Sequence, residues 1–82
     1  MTPLNWFRAY AACLAAMIEN LEAARLMMTD AAKEAPDAMS LAMLNVHIHR
    51  TTRHVAAMQS DLLHVQAEAR MLAPMTEKDV LQ

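Results

Sequence analysis

Three residues of this chain oppose an α-helix: Pro3, Pro36 and Pro74. Glycine, the other common breaker, is absent from all 82 positions. Proline fixes φ, lacks an N–H and pushes the residue before it out of the helical region. Thr2-Pro3 reads as a start, because Thr is a good N-cap and Pro suits the first helical position. Ala35-Pro36 and Ala73-Pro74 read as stops, and Asp37 is placed to cap whatever follows the first of them. The spacing predicts a first helix over about 3–34, a turn over about 35–37, a second helix over about 38–72 and a short tail over 73–82. Each helix is then about 45–50 Å long. A connection of two or three residues forces them antiparallel. The expected fold is all-α, a single-domain αα-hairpin.

Composition points the same way. Hydrophobic residues make up 56% of the chain and aromatics 4%, so the apolar content is mostly Ala, Met and Leu, which are strong helix formers. A sheet would need alternating β-branched and aromatic residues with Gly at its turns.

The second helix carries a countable heptad. Leu41, Ile48, Val55, Leu62 and Ala69 stand seven apart, and Leu44, Thr51, Met58, Val65 and Leu72 fill the matching row. Large apolar side chains at eight of these ten positions make a coiled-coil seam rather than a broad globular face. Polar residues flank it: His47, His54, Asp61 and Glu68 on one side, Asn45, Thr52, Gln59 and Gln66 on the other.

The first helix is apolar over a wider arc. Phe7, Leu14, Leu21 and Met28 form one row, and Tyr10, Met17, Ala24 and Ala31 a second. Leu4, Ala11 and Ile18 lie beside them, with Trp6, Cys13 and Met27 on the opposite flank. One partner helix covers about half of such a surface, and each large side chain left wet forgoes roughly 1.5–3 kcal/mol. The expectation is dimerisation of the hairpin into a four-helix bundle or coiled coil, or packing against a different helical protein. With Pro36 as pivot, Glu19 falls near Arg53, Glu22 near Arg50, and Arg8 near Asp61, His64 and Glu68. Such surface pairs are worth only about 0–1 kcal/mol each and serve to set register.

The segment Asn45–His54 holds three of the four histidines and two of the seven Lys/Arg residues. Histidines on one helix share a metal when three or four residues apart. His47, His49, His54 and His64 offer separations of 2, 5, 7, 10, 15 and 17, so no metal site is expected. Asp61 and His64 have the right spacing, but no further inward carboxylate accompanies them. No Gly-rich phosphate loop, nucleophile elbow or triad is present, so neither cofactor nor enzymatic activity is expected. His47, Arg50, Arg53 and His54 form a short basic band suited to charged partner contacts. A net charge of −2 argues against a whole-domain grip on nucleic acid.

Cys13 stands alone in an apolar run and reads as a small buried hydrophobe in a reducing compartment. The longest run free of charged residues and histidine, Ala9–Ile18, is half of what a membrane span needs. The chain is expected to be cytoplasmic. Nine methionines suit a surface that adapts to a partner. Together these features predict a small non-enzymatic protein–protein interaction module of the adaptor, chaperone or inhibitor type, forming a homodimer and binding a protein partner. A regulator contacting nucleic acid through Arg50 and Arg53, and a structural subunit of a larger helical assembly, are the alternatives.

Overall fold

Thr2 begins the first helix. Its backbone is extended (φ −71°, ψ 156°) and its Oγ1 accepts a hydrogen bond from the Asn5 N–H at 3.1 Å. Pro3 follows, already at helical φ. The computed structural model describes the backbone of residues 1–81 and the side chains of residues 1–73. Helix α1 spans Pro3–Ala32 and α2 spans Ala38–Leu81, packed against each other as a hairpin. No strand occurs among the described residues.

The turn is made without glycine. No described residue takes positive φ, so the usual left-handed helix cap is not used. The Lys33, Glu34 and Ala35 N–H groups instead donate to the Asp30, Ala31 and Ala32 carbonyls at 3.2, 3.1 and 3.4 Å. This three-residue spacing tightens the last turn of α1. That tightening ends α1 at Ala32, slightly before the expected 34. Asp37 then caps α2, its Oδ1 accepting from the Ser40 N–H at 2.7 Å.

The far end of α2 differs from expectation. The helix continues through Pro74 to Leu81 instead of stopping near Leu72. Proline deprives the Arg70 carbonyl of its donor, a cost of about 3 kcal/mol. No second breaker follows, and Glu, Lys and Leu beyond it are good helix formers. The expected separate tail over 73–82 is thus helical as far as Leu81, while Gln82 lies outside the described residues. The molecule is a rod of 67 × 15 × 14 Å.

Two interlocking heptads close the hairpin. On α2 the buried or half-buried positions are Ile48, Val55, Leu62 and Ala69 with Leu44, Thr51, Met58, Val65 and Leu72, joined by Ser40 and Ala73. Leu41, the first member expected in that seam, is 38% exposed. It sits in the first turn of α2, level with the end of α1, where little is left to cover it. On α1 the row Phe7, Leu14, Leu21 and Met28 faces inward as expected. Its companion row is Leu4, Ala11, Ile18, Arg25 and Ala32. Tyr10 and Met17, expected in the second row, lie outside at 42% and 49% exposure. The rows on either side of Phe7–Met28 compete for one partner helix. Leu4 and Ile18 bury without polar atoms, whereas the Tyr10 hydroxyl stays hydrated only on the outer side. Arg25 enters the seam because its long stem lies along apolar surface while its head group reaches Glu22, to which Nη2 donates.

The core is thin. Leu4, Leu14, Val55 and Met58 are the buried hydrophobic residues among those described, at 4–8% exposure, and no large side chain falls below 2%.

A charge-free face on helix α1 as candidate interaction surface

Outside the seam, α1 carries a second heptad. Trp6, Tyr10, Cys13, Met17, Asn20, Ala24, Met27 and Ala31 follow one another at alternating spacings of four and three residues, and all eight are exposed. That spacing generates one continuous stripe on a helix. No position in it bears a charge. Its N-terminal end is an aromatic cluster. The Trp6 ring stands edge-on to Phe7 at 5.1 Å and lies tilted over Tyr10 at 5.4 Å. Phe7 is half-buried in the seam, so the core anchors this exposed indole. Cys13, expected to be buried, is an exposed free thiol in mid-stripe.

The stripe was only partly legible in the sequence. Sequence spacing puts Tyr10, Met17, Ala24 and Ala31 in a second row beside Phe7, and Trp6, Cys13 and Met27 on a flank of the same wide apolar surface. The signal that joins them is the unbroken four–three spacing, which includes Asn20.

An open cleft of about 400 Å³ shows which side of the hairpin is which. It is lined by Arg8 and Ala11 of α1 with Gln66, Ala69 and Arg70 of α2. Gln66 belongs to the flank that includes Asn45, Thr52 and Gln59, and Arg8 lies seven and fourteen residues before Ala15 and Glu22. Those rows therefore share one side. The stripe borders the other side of the α1 seam, next to the α2 row of His47, His54, Asp61 and Glu68.

This sidedness accounts for the missing interhelical ion pairs. Among the described residues the ion pairs are Arg25–Glu22, within α1, and Lys33–Asp30, between its C-cap and its last turn at 3.4 Å. Glu19–Arg53, Glu22–Arg50 and the expected partners of Arg8 do not meet. The pivot fixed their level along the rod but not their side, and Glu22 turns to Arg25 instead.

The basic band is left open. His47, Arg50, Arg53 and His54 are exposed, and none makes a side-chain hydrogen bond or ion pair among the described residues. Arg53 lines a shallow depression of about 450 Å³ on the outer face of α2 with Val46, His49 and Thr52. No three His, Cys, Asp or Glu side chains converge to hold a metal ion among the described residues. No helix among them is long and apolar enough to cross a membrane. Comparison with known protein families, with curated proteins and with solved structures finds no match to this chain.

Proposed function

We propose that this chain is a small non-enzymatic protein–protein interaction module that acts by packing α1 against an apolar helix of another polypeptide. The observation that carries the reading is the second heptad on α1, wholly exposed and wholly uncharged. A heptad is costly to leave in water, since Trp6, Tyr10, Met17 and Met27 each forgo stabilisation that a covering helix would supply. A helix laid into that stripe would anchor at i, i+3, i+4 and i+7 positions. Trp and Tyr are the side chains most often found as binding anchors. Methionine lets such a surface adapt to its occupant. The mechanism is coverage: the module occludes or stabilises an apolar helical surface of its partner.

Affinity capture from the native host with the wild-type chain and Met17→Lys side by side tests this. A protein retained by the wild type and lost with Met17→Lys, at unchanged helix content, supports the reading. Equal retention by both removes the stripe from consideration.

A second reading rests on Arg50 and Arg53, whose head groups have no partner among the described residues. Free guanidinium groups three residues apart on an exposed helix face can contact successive phosphates. In this reading the chain is a regulator that touches nucleic acid. Salt-sensitive retention on DNA that is lost in Arg50→Ala/Arg53→Ala would favour it; passage through the column at low salt would exclude it.

A further inference from the structure

We infer that the occupant of the α1 stripe is a second copy of this chain, laid antiparallel across a two-fold axis that passes between Met17 and Asn20. The inference rests on the reading of the stripe as a docking surface and adds its occupant and geometry. Three features of the stripe and its surroundings support it.

The first is side-chain size. The stripe is bulky at its start (Trp6, Tyr10) and includes Ala24 and Ala31 towards its end. An antiparallel pairing that overlaps the whole stripe sets Trp6 against Ala31, Tyr10 against Met27, Cys13 against Ala24 and Met17 against Asn20. Trp6 then faces a methyl group and Tyr10 a flexible thioether, and the two inner layers pair residues of similar size, so bulk is spread over both ends of the interface. A parallel pairing would set indole on indole at one end and methyl on methyl at the other, splaying the helices.

The second is charge. The α2 row beside the stripe carries His47 and His54 towards the turn, with Arg50 next to it, and Asp61 and Glu68 towards the far end, with His64 next to it, so full positive charge lies in one half and full negative charge in the other. An antiparallel copy brings the basic half of one hairpin over the acidic half of the other. A parallel copy sets like on like. Complementary flanks of this kind set orientation in helical bundles.

The third is extent and polarity. A hairpin face about 45 Å long and about 15–20 Å wide offers roughly 700–900 Å² per copy, the size of one side of a standard interface. Asn20 is the one carboxamide in the stripe. In this register the two copies of Asn20 straddle the axis about 4.5 Å apart along the rod. A single polar residue at such a position specifies register at some loss of stability.

Sedimentation equilibrium and thiol trapping on the full chain test the inference. The expected mass is twice the 9.2 kDa of one chain. Met17→Lys, which buries two unpaired ammonium groups beside the axis, raises the dimer dissociation constant at least about tenfold at unchanged helix content. Cys13 reports orientation without any substitution. In the antiparallel dimer the two Cys13 residues lie about 16 Å apart along the rod, beyond disulfide reach, so mild oxidation does not join them efficiently. Ala24→Cys brings a second thiol opposite Cys13, and peptide mapping then finds Cys13 of one copy linked to position 24 of the other. A chain that stays monomeric at all concentrations overturns the second copy as occupant. If Met17→Lys nonetheless abolishes capture of another protein, the docking reading survives that failure. Rapid Cys13-to-Cys13 linkage in the wild type overturns the antiparallel geometry. A dimer indifferent to Met17→Lys overturns the stripe as its interface.

Discussion

Asp37 and Arg25 are the two polar side chains on which the hairpin turns, and they act oppositely. Asp37 caps α2, and the Ser40 N–H, followed by the Ser40 hydroxyl and the Met39 N–H, holds its carboxyl below the ordinary value of 3.8. A carboxyl lowered on folding adds stability above its unfolded value and loses it as pH falls through its folded value. Asp37→Ala should therefore lower the thermal midpoint at neutral pH. The gap to wild type should close below about pH 3.8, as circular dichroism melts across pH will show. Asp37→Asn keeps a capping carboxamide and should remove the pH dependence while retaining much of the stability. Arg25 sits in the seam with Nη2 on Glu22, but its Nε is buried without a hydrogen-bond partner. An unmet buried donor costs about 1–3 kcal/mol, and a partly exposed ion pair returns little. Arg25→Met fills the same space without that donor and should stabilise the hairpin by about 1 kcal/mol in urea unfolding. A loss of stability instead would identify Arg25 as the residue that holds register.

At the scale of the helices, α2 was legible and α1 was not, for a physical reason. In α2 the seam residues are large and the flanks polar, so Val55, Met58 and Leu62 could be assigned from contrast alone. In α1 the arc is apolar on both sides of Phe7, Leu14, Leu21 and Met28, and alanine supplies no contrast. The choice between the Leu4–Ile18 side and the Tyr10–Met17 side belongs to tertiary packing. Arg25 stands in the row that packs inward, where a charge gives no sequence sign of burial. Charge pairing failed as a guide because a pivot fixes level without fixing side. The proline rule worked at Pro36, where the chain must reverse, and failed at Pro74, where nothing requires reversal. A proline inside α2 leaves it one hydrogen bond short. Pro74→Ala should restore the bond, increase helical ellipticity and slow amide exchange near residue 74. Unchanged exchange there would mean that the missing bond does not limit opening of this end.

For the whole molecule the thin core is the deciding fact. Four buried side chains contribute about 1.5–3 kcal/mol each. That is little against the ordering of helices of 30 and 44 residues. Isolated two-helix hairpins of this size depend on additional burial, and small scaffolds without disulfides or metals commonly find it by association. The second heptad of α1 is a charge-free source of such burial on the described surface. Stability of a chain that folds and associates together depends on its own concentration by mass action. The thermal midpoint of the wild type should accordingly rise as protein concentration rises. Met17→Lys should melt lower and with a midpoint that no longer moves with concentration. Arg50→Ala/Arg53→Ala, which leaves the stripe intact, should keep the concentration dependence. Melts of the three proteins over a wide concentration range separate burial of the stripe from any effect of the basic band. A wild-type midpoint independent of concentration would show that the hairpin is stable without a covering helix, and the thinness of its core would then need another explanation.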